Sequence, residues 1–164
     1  MAEPFYGDFN AKADIFIIAD ISPLMLLGKI GQLCCLNKLF DNVWTTETIK
    51  EEFGEKLPEW IKIQQLSHPY WATLLDRLDY GVSTAFILAM EVGDNIKWKE
   101  LGEINPILIL DDKNARRYIH KTGLGYKTIS TANILNCAHE RGIINFDGIQ
   151  KVKDAYLVKH KLQL

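Results

Sequence analysis

The sequence predicts an α/β fold, a three-layer α/β/α sandwich around a mostly parallel central sheet. Two short apolar, β-branched runs, Ala13–Ala19 and Ile107–Leu110, read as strands covered on both faces. Segments with helical spacing and helix-starting residues alternate with such runs, and a β-α-β-α order favours parallel pairing. Acids stand where both runs end, at Asp20 and at Asp111–Asp112. In open α/β sheets ligands collect beyond the carboxyl ends of the strands.

Taken in order, residues 1–12 read as a flexible polar arm with Pro4 and Gly7, and residues 13–164 as one domain. Ala13–Ala19 is expected as a central strand ended by Asp20. Ser22-Pro23 then starts a helix, with a hydroxyl at the N-cap and proline in the first turn. Leu24, Leu27, Ile30 and Gly31 form its packed face, and Cys34–Phe40 make a second short helix. Asn42-Val43-Trp44 reads as a strand. Thr45-Thr46-Glu47 supplies the cap and acidic first turn of a helix to Phe53, broken by Gly54 and Pro58. Trp60–Leu66 alternates apolar and polar residues, as a half-exposed edge strand does. Pro69–Arg77 and Gly81–Val92 are expected as helices, the second apolar nearly all round and therefore buried. Residues 93–106 read as a long loop that covers the site or binds a partner. Beyond the Ile107 strand come a basic helix over Asp112–Lys121 ended by Gly123 and a strand near Gly125–Thr128. A helix over Thr131–Glu140 with Gly142 past its end follows, then a last helix over Asp147–Tyr156.

The 164 residues suffice for one substantial core, and 48% hydrophobic with 24% charged residues is ordinary for a globular protein. Ile15–Ala19 is too short for a signal-peptide core or a membrane span, so a soluble cytoplasmic protein is expected. Cys34, Cys35 and Cys137 are odd in number and lack metal-ligand spacing, which favours buried structural thiols over disulfides or zinc. The net charge of -2 does not announce a nucleic-acid binder, but its distribution is uneven. No acid occurs between Lys113 and His139, a stretch that holds Lys113, Arg116, Arg117, Lys121 and Lys127.

Asp20, Asp111–Asp112 and the helix acids Glu51–Glu52 are the candidate chemistry. Strand-end acids converge if their strands are neighbours, and converging carboxylates call for a proton or a cation. Mg²⁺ or Mn²⁺ suits such a set, because these ions take few carboxylates and keep waters for substrate phosphate. The plain alternatives are helix caps for Asp20 and Asp112, a solvated face for Glu51 and Glu52, and ordinary surface for the basic helix. Lys113, Arg117 and Lys121 share one helix face, which fits contact with a phosphate backbone.

The ordered segments Ala19-Asp20-Ile21-Ser22-Pro23-Leu24, Leu27-Gly28-Lys29-Ile30-Gly31, Leu39-Phe40 with Val43, Ile49-Lys50-Glu51-Glu52-Phe53, Leu78-Asp79-Tyr80-Gly81 and Leu110-Asp111-Asp112-Lys113 with Ala115-Arg116 carry a resemblance. They resemble the PIN-domain family, in particular stand-alone VapC-like proteins, over roughly residues 13–146. The resemblance implies Mg²⁺- or Mn²⁺-dependent ribonuclease chemistry, often as the toxin half of a toxin–antitoxin pair. RNA and a cognate antitoxin are then the expected partners, with a homodimer as a further expectation. It assigns catalysis to Asp20, Glu52, Asp111 and Asp112, and metal to Asp20, Glu52 and Asp111. Contact with phosphate or RNA falls to Ser22, Lys113, Arg116, Arg117, Lys121, Ser130 and Thr131.

Two segments depart from the family pattern. Leu-Asp-x-Gly-Glu becomes Leu78-Asp79-Tyr80-Gly81-Val82, and a glycine-rich turn becomes Ile129-Ser130-Thr131-Ala132-Asn133. Val82 implies either a lost site acid, the favoured reading, or a lost capping box costing about 1 kcal/mol or less. The lost acid opens the alternative of a catalytically impaired PIN-fold protein acting by binding RNA or protein. An unrelated phosphotransfer domain is the third reading, and the lack of a nucleotide-binding Gly-rich loop counts against it.

Overall fold

The structure is a computed structural model that describes residues 16–94 and 106–145, with Asp147, Gln150 and Asp154. The elements are β1 (Phe16–Ala19), α1 (Ile21–Lys29), α2 (Cys34–Leu39), β2 (Asn42–Thr46), α3 (Glu47–Phe53), β3 (Ile61–Gln64), a 3-10 segment (Pro69–Leu74), α4 (Tyr80–Asp94), β4 (Ile107–Ile109), α5 (Lys113–Lys121), β5 (Lys127–Ile129) and α6 (Thr131–Glu140). The expected arm over residues 1–12 and the core of the expected 93–106 loop lie outside the described residues. Of the expected last helix, Asp147, Gln150 and Asp154 are described and helical, with Gln150 Nε2 donating to Asp154 Oδ1 at 2.9 Å.

The strands form one five-stranded sheet in the order β3-β2-β1-β4-β5, and every pairing is parallel. Each of Phe16–Ala19 and Ile107–Ile109 is buried. Successive strand side chains point to opposite faces, so unbroken burial requires cover on both sides. Helix α4 packs across β2, β1 and β4, while α1 packs against α3 and α6, and α2 against α6 and β2. The expected α/β sandwich is therefore what the chain forms. At the edge, β3 is only half buried, as its alternation predicts.

Several boundaries move, for local reasons. Asp20, not Ser22, occupies the N-cap position of α1, because the chain turns helical as soon as β1 ends. Strand β2 runs on to Thr46, where the Thr46 side chain accepts from the Ile49 N–H and starts α3. The segment expected as a helix over Pro69–Arg77 is a 3-10 run that stops at Leu74. Its Tyr, Trp and Thr residues are poor helix formers, and Thr73 Oγ1 donates back to the Tyr70 carbonyl at 2.6 Å. Strand β5 begins at Lys127 because Gly125, at φ +84°, is in the left-handed region and breaks the extended backbone. Cys35 and Cys137 are buried as expected, but Cys34 is exposed. Burial pushes the Cys35 thiol up to about 11, the state of an inert thiol. No helix among the described residues is long and apolar enough to cross a membrane.

Candidate metal centre

The strand order reverses between β1 and β4: from β1 the chain builds outward to β2 and β3, then returns to place β4 on the other side. Such a switch point opens a crevice beyond the carboxyl ends of the two strands. Ala19 pairs with Ile109, and the Asp20 N–H donates to the Ile109 carbonyl at 2.9 Å. That register brings Asp20 and Asp111, separated by most of the chain, to the lips of one crevice.

Asp20 is the unusual group. It is 5% exposed, and among the described residues its Oδ1 has no hydrogen-bond partner. Although it stands at an N-cap position, its side chain makes no capping bond. Burial pushes its carboxyl up to about 6; the Ile21 backbone N–H pulls it back, and the negative charges of Glu52, Asp111 and Asp79 raise it further. The cause is desolvation reinforced by like charge, the condition a proton or a cation would relieve.

Glu52 reaches this region from α3 and is itself exposed. Its seat is Gly81, in the first turn of α4: a Cβ there would stand 2.7 Å from Glu52 Oε1. A hydroxyl relay fixes that seat. Thr84 Oγ1 donates to the Gly81 carbonyl at 2.6 Å, and the Thr46 and Thr84 hydroxyls lie 2.8 Å apart. Thr46 therefore donates to Thr84, and Thr45 Oγ1 donates to the Ala19 carbonyl at 2.8 Å, tying β2 to β1. These buried threonines hold the starts of α3 and α4 in one frame.

Asp111 is oriented from α6. Its Oδ1 accepts from the Thr131 N–H at 2.7 Å and its Oδ2 from Thr131 Oγ1 at 2.8 Å. Asp112 is placed differently: its Oδ1 caps α5, accepting from the Asn114 and Ala115 N–H groups at 2.8 and 3.2 Å. Capping is thus what the side chain of Asp112 does here and what that of Asp20 does not.

The other sequence-predicted residues divide the same way. Lys113, Arg117 and Lys121 are exposed on α5, the helix that starts just past the acids. Arg116 Nη1 donates to the Leu110 carbonyl at 2.9 Å and so braces the strand end. Ser130 forms a capping box with Asn133, and Thr131 is engaged by Asp111. Ser22 is half-buried in the first turn of α1. Val82 is 6% exposed within the core, one residue beyond the seat of Glu52. Sequence reasoning missed Asp79 as an acid facing Asp20 and Gly81 as the seat of Glu52. Both lie in the Leu78-Asp79-Tyr80-Gly81 segment that carries the family resemblance.

The donors here are hard oxygens, and the unpartnered Asp20 Oδ1 is a vacant lone-pair site, so the residues fit a hard divalent cation. Among the described residues no three acid, histidine or cysteine side chains stand close enough to enclose an ion. The matching mode is an ion carried on one or two carboxylates and otherwise hydrated, as Mg²⁺ commonly is. A separate groove of about 500 Å³, lined by Met25, Leu26, Gly28, Lys29, Phe53 and Glu55, contains none of the strand-end acids.

The chain is thus a parallel α/β sandwich with acids gathered at its switch point, the place where such sheets bind ligands. A family model described as a PIN domain (DUF3368) matches residues 16–156, and the chain belongs to that family. PIN domains are a nuclease family that generally uses divalent metals. Neither the comparison with curated proteins nor that with solved structures gives a match.

Proposed function

We propose that this protein is a divalent-metal-dependent ribonuclease that hydrolyses RNA phosphodiesters at the crevice between β1 and β4. The carrying observation is the buried, unpartnered Asp20 Oδ1, whose carboxyl is raised by burial and by Glu52, Asp111 and Asp79. In this reading Asp20 and Asp111 would hold a largely hydrated Mg²⁺ or Mn²⁺, with Glu52 adding negative charge beside them, and the ion would supply an activated water and charge compensation for the leaving oxygen. Thr131 aims Asp111, Gly81 leaves the space that Glu52 occupies, and Asp112 acts through the fold as the cap of α5. Lys113, Arg117 and Lys121 draw the RNA backbone toward the acids.

The test is cleavage of single-stranded RNA by the purified protein with Mn²⁺ and Mg²⁺. Cleavage should require metal and should disappear in Asp20→Asn. Folded protein that cuts none of several RNAs with either ion would overturn the proposal. A toxin role, proposed on the VapC-like resemblance, predicts growth arrest on expression of the wild type and none with Asp20→Asn.

A second reading, a PIN-fold protein that binds RNA or protein without cutting, is favoured by Val82. The position where the family has an acid is here an apolar residue buried in the core. RNA binding without metal-dependent cleavage would be its signature.

A further inference from the structure

Beside the acids lies a groove of about 280 Å³ at the ends of β2 and β3. Its lining includes Thr46, Glu47, Gln64, Gln65, Pro69 and Tyr80. Thr46 and Gln64 are the last register pair of β2 and β3, so the groove opens where that part of the sheet ends. Its frame is held on both sides. The Thr46–Thr84–Gly81 hydrogen bonds fix the start of α4. Across the groove, Glu91 on α4 accepts from the Ser67 and His68 N–H groups at 2.7 and 2.9 Å, holding the turn that leads into Pro69.

The lining chemistry suits an uncharged, flat, hydrogen-bonding ligand. Among the described residues no lysine or arginine lines the groove. Among the described residues the carboxylate of Glu47 has one loose ionic partner, Lys50 Nζ at 3.7 Å, with both side chains about half exposed. A phosphate would find no cation among these lining residues, whereas a nucleobase would find amides and hydroxyls for its edge. The volume is at the low end of small-molecule pockets, about 300 Å³, the scale of a single base with its sugar. Tyr80, 47% exposed, supplies an aromatic ring, and Pro69 opens the turn on which Tyr70 and Trp71 are also exposed. Tyr80 is the neighbour of Gly81, against which Glu52 packs. Thr46, in the groove lining, caps α3, the helix that carries Glu52.

We propose that this groove is a base-binding subsite for single-stranded RNA, with a nucleobase stacked on Tyr80 and the adjoining backbone directed to the acids. The placement of the backbone rests on the nuclease reading above; the base contact does not. Unpaired bases are bound by stacking on aromatic side chains and hydrogen bonding at their edges, which is the equipment found here.

The experiment is fluorescence anisotropy in EDTA, where nothing is cut, with a labelled adenosine ribo-octamer. A labelled octamer of abasic spacers with the same phosphates is the control. Wild-type protein should prefer the adenosine octamer. Tyr80→Ala should weaken that binding roughly tenfold or more and leave the abasic octamer unchanged. Tyr80→Trp should retain binding, and Gln64→Ala should give a smaller loss in the same direction, a second reading if Tyr80→Ala folds poorly. Equal loss for both octamers, or no loss for either, overturns the subsite; the latter is the result if the aromatic surface serves a protein partner instead. An absence of cleavage with Mn²⁺ would overturn the nuclease reading while leaving this result standing. Unchanged KM for RNA in an active Tyr80→Ala enzyme would do the reverse.

Discussion

Replacing Asp20 by Asn should make the metal-free protein more stable while removing its metal response. In the folded chain the Asp20 carboxyl is pushed from its ordinary 3.8 to about 6, chiefly by burial. In the unfolded chain it ionises near the ordinary value, so between those two pH values the folded state binds more protons. Stability then falls as pH rises, because its slope follows the protons bound by the unfolded minus the folded state. Below pH 4 the penalty is nearly absent. Above pH 6 to 7 it is complete, and a shift of about 2 units corresponds to about 3 kcal/mol. Asn keeps the size of the side chain without the charge, so its advantage should be well under about 1 kcal/mol at pH 4 and about 3 kcal/mol at pH 7.5. For a chain of this length that is roughly 6–12 °C in melting temperature. Urea denaturation followed by circular dichroism, with EDTA at a series of pH values, measures it. Adding Mn²⁺ should stabilise wild type through linkage to the folded state and leave Asp20→Asn unmoved. The reasoning is refuted if Asn is no more stable than Asp at pH 7.5 in EDTA, or if its advantage is as large at pH 4.

Gly81→Ala should separate stability from function. The added Cβ meets the Glu52 carboxylate at 2.7 Å, but Glu52 is an exposed, flexible side chain that can move away. Calorimetry should show a change in stability of less than about 1 kcal/mol, while titration shows Mn²⁺ affinity falling severalfold. Asp112→Ala should behave in the opposite way, costing about 1 kcal/mol through loss of the α5 cap with Mn²⁺ affinity unchanged. Val82→Glu places a carboxylate at a position only 6% exposed, so the metal-free variant should lose about 2 kcal/mol or more in denaturation. If Val82 replaces a site acid, Mn²⁺ restores much of that loss and cleavage rises; if a capping box was lost, Mn²⁺ stabilises the variant no more than it does wild type.

Much of this fold is local and was therefore legible in the chain. Phe16–Ala19 and Ile107–Ile109 are too apolar for anything but covered strands, and Thr46-Glu47 and Gly54 bracket α3 because capping is a contact between near neighbours. The acids could be nominated for the same reason, since strand ends are visible in sequence. Their roles could not be read there. Asp20 and Asp112 look alike as aspartates between a strand and a helix, yet one is buried with an unpartnered oxygen and the other caps α5. The difference comes from the reversal of strand order between β1 and β4, which buries Asp20 among carboxylates drawn from α3, from β4's end and from the start of α4. The seat of Glu52 at Gly81 and the bond from Thr131 to Asp111 are likewise contacts between distant parts of the chain. Sequence alone determined which residues carry charge and, to within a few residues, where most strands and helices lie, because those preferences act over a few neighbouring residues. Tertiary structure decided which carboxylate lost its water and which kept a partner, because desolvation and charge repulsion depend on distances that only the folded sheet sets.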